Sequence, residues 1–226
     1  MAIKRYAVTS FSDVSSRKRF DGTSWVELVI GKRFDGTSWV NLWSGSSTPD
    51  KPVEPTEQTY IKTYNLSSAQ IYWGSEKKDN QSDSVVDLIV GSYSGSKSTT
   101  RRTLLFFPLS TIKSDLSGAT ISKVELYLHR RNTTHGNASS SLHVKYGTYS
   151  SAPSTWDGTD SGAADSGTPT FMRGESKWIT LSNSVANGFK NGTVNCLALD
   201  ADTNYNMSAY GRYVRSETKL RITYKK

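Results

Sequence analysis

The feature that most constrains the fold of this chain is a tandem repeat near its amino terminus. Residues 18–28 (KRFDGTSWVEL) recur almost letter for letter as residues 32–42 (KRFDGTSWVNL), a period of fourteen residues. One period earlier, residues 4–11 keep a Lys-Arg pair and a Thr-Ser-aromatic triplet, which we interpret as a worn first copy. A repeat this short cannot form a core alone, so the array must pack against neighbouring copies or another surface.

Each clear copy predicts a β-hairpin, because Asp-Gly is a preferred pair for a two-residue hairpin turn. Such a turn places Phe20 opposite Thr23 and Trp25 opposite Lys18. The array therefore predicts association, either with identical chains as a homotrimer or with the docking surface of a larger assembly. The alternative is a short β-meander packed on the main domain of the same chain. The aromatic residues expected to mediate assembly or anchoring are Phe20, Trp25, Phe34 and Trp39.

The near-identical Arg-Phe-Asp-Gly-Thr-Ser-Trp-Val motifs resemble repeats of bacteriophage tail, baseplate, fibre and decoration proteins. The resemblance covers about forty residues, and it implies that residues 1–43 dock onto other virion proteins. Residues 44–58 follow as a Pro/Ser-rich linker, whose composition is typical of an extended spacer.

Residues 59–226 show many short runs of alternating polar and apolar residues, separated by turn-forming clusters. In residues 121–129, for example, Val124, Leu126 and Leu128 share one face, while Glu125, Tyr127 and His129 share the other. Apart from one helical turn near residues 182–189, no helical period is evident. The pattern predicts an all-β fold, with a C-terminal β-sandwich, commonly a jelly roll, after a small N-terminal β-hairpin region.

Four segments of this domain resemble a family of jelly-roll modules, the DNRLRE-type carbohydrate-binding modules. The matching segments are RTLLFFPLS (102–110), GATISKVELYL (118–128), WITL (178–181) and YVRSETKL (213–220). Pro108 departs from the family's usual Asp, and its tryptophan-rich stretch is reduced to Ser154-Thr155-Trp156. The resemblance implies a jelly roll, some of whose relatives bind carbohydrate.

Charge and cysteine content narrow the function classes. The net charge is +8, with the basic residues scattered rather than gathered in a stripe, so no nucleic-acid partner is predicted. The single cysteine allows no disulfide within the chain. No signal peptide or membrane-inserting segment is expected. Together with the repeats, these features favour a virion protein that is assembled in the host cytoplasm and released by lysis.

Catalysis and metal binding are not predicted. His129, His135 and His143 lack the spacing of a zinc site, although two of them could lie on neighbouring strands. Cys196 sits in an apolar strand and is expected to be a buried, inert thiol. No cofactor is expected. Loop carboxylates could hold a structural calcium ion, but ordinary turn chemistry is favoured; the candidates are Asp200 with Asp202, and Asp79 with Asn80 and Asp83.

Glycan binding is the sharper hypothesis, because sugar rings stack on exposed aromatic side chains. Alternation places Tyr127 and Trp178 outward, and Phe106 stands where the family resemblance implies a polar residue. Loops add further aromatics. The candidate carbohydrate-binding residues are Tyr127, Trp178, Phe106, Trp156 and Trp73.

The sequence thus predicts a non-enzymatic phage virion surface protein that attaches to a host cell-surface glycan. One alternative is a purely structural capsid or tail decoration protein without a ligand. The other is a surface-polysaccharide depolymerase, which needs two carboxylates about 5–10 Å apart in a groove.

Overall fold

The structure is a computed structural model, and it describes thirteen segments of the chain. These are residues 18–20, 23, 25–27, 30–34, 37, 39–44, 57–78, 87–92, 100–133, 138–158, 162–165, 167–200 and 210–226. The worn repeat at 4–11 and residues 45–56 of the predicted linker lie outside them, as do His135, Asp79, Asn80, Asp83 and Asp202. The chain divides into two compact units, Met1–Thr56 and Glu57–Lys226.

The N-terminal unit contains two antiparallel hairpins, one from each clear copy of the repeat. Their strands are β1 (Lys18–Phe20), β2 (Trp25–Glu27), β3 (Ile30–Phe34) and β4 (Trp39–Ser44).

The predicted register of these hairpins is wrong. Phe20 pairs with Trp25 and Lys18 with Glu27, so four residues rather than two separate the strands. The second copy repeats this register, with Phe34 opposite Trp39. Four-residue loops are a common alternative to the two-residue turn, and this one aligns two aromatic positions, a pairing that antiparallel sheets favour. The side chains of Phe20, Trp25, Phe34 and Trp39 lie outside the described part, so their assembly role stays a prediction.

The C-terminal unit is built almost entirely of antiparallel strands, which confirms the all-β fold; the jelly-roll topology stays a prediction. Its strands are β5 (Thr59–Asn65), β6 (Ser68–Trp73), β7 (Glu76–Lys77), β8 (Leu88–Ser92), β9 (Thr100–Phe106), β10 (Thr120–His129), β11 (Ser139–Ser141), β12 (His143–Gly147), β13 (Gly162–Ala163), β14 (Thr170–Met172), β15 (Ser176–Leu181), β16 (Cys196–Asp200), β17 (Gly211–Tyr213) and β18 (Lys219–Lys225).

Two large sheets share one apolar core. A four-stranded sheet has the order β15-β10-β18-β5, and an eight-stranded sheet has the order β13-β12-β16-β9-β6-β7, with β8 joined to β9 and β17 to β8. Side chains of the two sheets meet in a single buried cluster, to which the first contributes Leu126 and Ile222 and the second Leu105 and Leu197. The alternation read from residues 121–129 therefore holds, since Val124, Leu126 and Leu128 are fully buried.

Among the described residues, two short α-helices flank the core, and the sequence predicted only one. Helix α2 (Asn183–Asn191) begins after Ser182, whose side chain accepts a hydrogen bond from the Ser184 amide. It ends at Gly192, which adopts the left-handed conformation that glycine tolerates best. The missed helix, α1 (Leu109–Leu116), buries Ile112 and Leu116 against the core. Eight residues show too few turns for a clear helical period. Neither described helix is long and apolar enough to cross a membrane.

Candidate glycan-binding face

Tyr127 and Trp178 form an aromatic platform on the outer face of the four-stranded sheet. They are directly opposed on β10 and β15, and both are half-buried. Their ring centroids lie 5.2 Å apart with the planes tilted by 55°. Tertiary packing thus brings together two of the five predicted carbohydrate-binding residues, on the face that alternation assigned to them.

Arg221 of β18 closes one side of this platform. Its guanidinium carbon lies 3.8 Å from the Trp178 ring centroid, a cation–π contact. Its Nε donates a hydrogen bond to Glu125 Oε2 at 2.9 Å, and its Nη2 lies 2.8 Å from the same oxygen. Arg221 is therefore held in place by both an aromatic ring and a carboxylate.

Glu125 is the buried carboxylate at the centre of the face. Burial raises its pKa, but hydrogen bonds from Lys123 and Arg221 outweigh that effect, so the pKa lies below its usual range. The Lys123 Nζ is 2.8 Å from Oε1, which means that one carboxylate is shared by two cations. The ionised carboxylate keeps Arg221 aligned beside Trp178.

Polar side chains surround the platform in register. Lys219 lies opposite Tyr127, and Thr180 lies opposite Glu125. Toward the edge strand, Asn65 follows Lys219 and Thr63 follows Arg221. Hydroxyl, amide and ammonium groups beside aromatic rings are the donors and acceptors that sugar hydroxyls require.

One end of the face is bounded by a hydrogen-bonded pair, His129 and Glu217. The His129 Nδ1 lies 2.9 Å from Glu217 Oε2, and Glu217 belongs to a short 3-10 helix, Arg215–Glu217, that leads into β18. The other end carries Ile61 of the edge strand, a side chain that is 67% exposed. The platform therefore sits between a charged border and a single exposed apolar residue.

Phe106 and Trp156 do not belong to this face, and their contact with a carbohydrate stays a prediction. They are only 9% and 3% exposed, in a small cluster on the opposite side of the eight-stranded sheet. Trp156 packs edge-on against Tyr72 at 5.4 Å, and its backbone N–H donates to Ser75 O. Residues 150–158 thus cover an apolar surface that a bare sheet would expose, which the sequence pattern of a loop did not reveal.

Trp73 lies at a third place, away from the platform. It packs with Ile71, Ile89 and Tyr210, and the Arg101 guanidinium lies 4.4 Å from its ring. Arg101 also donates to the Tyr210 hydroxyl at 2.8 Å. Trp73 is therefore part of a separate cluster and does not join Tyr127 and Trp178.

The groups considered for catalysis and metal binding are dispersed. His129 and His143 belong to different sheets, so the expectation of neighbouring strands is wrong. Cys196 is fully buried. Within the described segments, no group of three or more His, Cys, Asp or Glu residues is arranged to hold a metal ion. The calcium candidate Asp200 is instead neutralised by Arg102 and Lys145, each at 2.7 Å.

Three further carboxylates, Asp157, Asp160 and Asp165, come from a Gly/Ser/Thr-rich stretch of the chain. Asp165 accepts a hydrogen bond from the Val144 amide at 2.6 Å, and burial raises its pKa. Asp157, next to Trp156 in the chain, is half-buried, and Asp160 lies outside the described residues.

No protein-family model matches this sequence. No curated protein matches it either.

Sequence reasoning missed Arg221, Glu125 and Lys219 as functional candidates. Alternation in residues 219–225 already placed Arg221 and Lys219 on a common face, since Leu220 and Ile222 alternate with them. Only the pairing of β18 with β10, however, puts these cations beside Tyr127.

Proposed function

We propose that this protein is a bacteriophage virion surface protein that binds a host-surface glycan through the aromatic platform. The observation that carries the proposal is the Tyr127–Trp178 pair on a solvent-facing sheet, flanked by Lys219, Arg221 and threonine hydroxyls. A sheet face with an aromatic pair and polar neighbours suits an extended polysaccharide. The predicted jelly-roll topology and family resemblance support the same reading.

Residues 1–43 serve as the anchor in this proposal. They dock onto other virion proteins and assemble the chain as a homotrimer, so that several weak glycan sites act together. The repeat resemblance supports this role. The protein is localised to the virion, acts without a cofactor and is not an enzyme.

The glycan proposal is tested by arraying host-wall polysaccharides against the full chain and two variants. Tyr127→Ala combined with Trp178→Ala removes the platform and is expected to abolish binding. Ile61→Ala is the matched control, because it truncates an exposed apolar residue on the same face, three strands from Trp178. Loss of binding in the control alone, or no binding by the wild type, contradicts the proposal.

The anchor is tested by comparing the full chain with residues 57–226. The shorter chain retains the closing backbone pair between Gln58 and Lys226, with N···O distances of 2.8 and 3.0 Å. A trimeric full chain and a monomeric fragment are expected in light scattering. If both are monomeric, the array is a docking element for another virion protein rather than a trimerisation element.

The purely structural alternative is favoured by one specific feature, the exposed Ile61, which suits a subunit interface as well as a free edge. In that case Ile61→Ala changes the oligomeric state while glycans remain unbound.

The depolymerase alternative is tested by incubating purified protein with host polysaccharide, since a fall in polymer length overturns the non-enzymatic assignment.

A further inference from the structure

The aromatic platform carries two cationic groups from one strand. Lys219 and Arg221 are two positions apart on β18, so both side chains project from the outer face. Lys219 stands directly opposite Tyr127, while Arg221 reaches across β10 to Trp178. Cationic groups thus border both rings of the platform.

Both side chains have donors to spare. Arg221 uses Nε and Nη2 on Glu125, which leaves Nη1 without a hydrogen-bond acceptor among the described residues. The Lys219 ammonium likewise has no hydrogen-bond or ion-pair partner within the described part of the chain. Both residues are partly exposed, so these donors can exchange hydrogen bonds with solvent for hydrogen bonds with a ligand.

The charge balance of the face is positive. The face carries three cationic side chains, Lys123, Lys219 and Arg221, and two carboxylates, Glu125 and Glu217. These three cations and two carboxylates leave one net positive charge. The excess is concentrated at Lys219, because Lys123 and Arg221 already share Glu125.

The remaining donors suit a phosphate group. Glu125 already occupies the Nε–Nη2 edge of Arg221, so the donors left are the outer Nη hydrogens of Arg221 and the ammonium of Lys219. These donors lie on two separate side chains. A tetrahedral phosphodiester can accept from both through its two non-bridging oxygens, and lysine is a common phosphate ligand.

The aromatic rings add a second requirement. In an antiparallel pair, directly opposed side chains have their Cβ atoms about 4.5–5.5 Å apart. A sugar ring on Tyr127 therefore holds a neighbouring phosphate within reach of Lys219. Arg221 covers one side of Trp178, so the platform suits sugars at its edge better than a run of stacked nucleobases, which needs several bare rings.

We propose that Lys219 and Arg221 bind the phosphodiester group of a phosphate-linked glycan polymer while Tyr127 and Trp178 contact its sugar. This assignment rests on the proposed glycan-binding function and names its ligand class. Lys219 is the residue that distinguishes such a polymer from neutral glycans, because its charge is not neutralised within the described residues.

The experiment measures binding of the full chain to four polymers at several salt concentrations. The probes are a glycosylated poly(ribitol phosphate), polygalacturonate, dextran and a single-stranded oligonucleotide. Lys219→Gln is compared with Lys113→Gln, a control that removes a half-exposed lysine from α1. Lys219→Gln is used first because, unlike Arg221, Lys219 supports no carboxylate in the fold. Arg221→Lys is the second variant, because it keeps the charge but removes the fork.

The wild type is expected to bind the phosphate polymer most tightly. Lys219→Gln is expected to weaken this binding about tenfold at low salt and to reduce the slope of log affinity against log salt by about 0.7–0.9. Lys113→Gln is expected to leave both unchanged. Arg221→Lys is expected to weaken phosphate-polymer binding without reversing the preference over dextran.

Five results overturn the proposal. Polygalacturonate binding as tightly as the phosphate polymer points to carboxylate recognition, and preferential oligonucleotide binding points to nucleic acid. An unchanged affinity in Lys219→Gln excludes the assigned subsite. Dextran binding that is lost only when Tyr127 and Trp178 are both replaced by alanine overturns this inference but leaves the proposed glycan function intact. The absence of binding to any glycan overturns both.

Discussion

The guanidinium carbon of Arg221 lies 3.8 Å from the ring centroid of Trp178, although strand β10 separates the two strands that carry them. The contact crosses Glu125, which binds the same guanidinium group and fixes its direction. A cation, a carboxylate and an aromatic ring from three strands thus form one surface unit. That unit links the stability of the sheet to the surface proposed to meet a ligand.

The Arg221–Trp178 contact is expected to show a coupling free energy of about 0.5–1 kcal/mol, as for a partly exposed cation–π pair. A double-mutant cycle of Arg221→Met and Trp178→Leu, followed by urea unfolding, measures it. The control cycle combines Trp178→Leu with Lys225→Met. Lys225 lies on the same strand as Arg221, but it is opposite Thr120 and away from the platform. A coupling below about 0.3 kcal/mol in the first cycle contradicts a direct contact.

Glu125→Gln is expected to remove a pH-dependent part of the stability. The lowered pKa means that the native state binds fewer protons here than the unfolded chain does. The stabilisation is therefore complete above the unfolded pKa of about 4.3 and is lost as the pH falls through the native pKa. Urea unfolding at several pH values should show a wild-type advantage that is full at pH 7 and shrinks toward pH 3. A difference that stays constant across this range contradicts the prediction.

Trp156→Ala is expected to lower the free energy of unfolding by about 3–5 kcal/mol, because it empties the centre of a buried cluster. Residues 150–158 should also become more sensitive to limited proteolysis. Trp178→Ala is the matched tryptophan truncation, and it is expected to cost about 1–2 kcal/mol since that ring is only half-buried. Equal losses in the two variants argue that Trp156 is not buried in solution.

Gly158→Ala is expected to destabilise the protein more than Gly118→Ala. Both glycines have positive φ, +83° and +72°, so each alanine carries a backbone strain of about 1 kcal/mol. At Gly158 the added Cβ also meets Arg102 Nε and Asp200 Oδ2 at 2.9 Å, whereas at Gly118 it meets nothing within 4 Å. Thermal unfolding should show an extra loss of about 1–3 kcal/mol at Gly158. Equal losses contradict a close approach of residue 158 to the Arg102–Asp200 pair.

Several elements of the fold could be predicted because their signals are local. The alternation in residues 121–129 identified a strand with one buried face, since side chains of a strand point alternately to its two sides. The same rule placed Tyr127 and Trp178 outward. The hairpin register could not be predicted as well, because Asp-Gly suits both a two-residue turn and part of a longer loop, and opposing Phe20 to Trp25 requires the longer one.

Burial of loop aromatics was beyond the reach of sequence patterns. Trp156 follows a Ser/Thr-rich stretch that suggests exposure, yet it fills a cluster with Tyr72 and Phe106. Phe106 faces away from the main core on its strand, so a second apolar layer is needed to bury it. Such a layer depends on where a distant loop crosses the sheet.

The sequence by itself determined that the chain is a repeat array followed by an all-β unit, and which side chains of each strand share a face. These properties follow from residue spacing along a single segment. Only the tertiary structure decided that β18 lies beside β10, that Arg221 reaches Trp178, and that Lys219 stands opposite Tyr127. Strand pairing joins residues about a hundred positions apart, and it is set by how two sheets bury one core rather than by any local pattern.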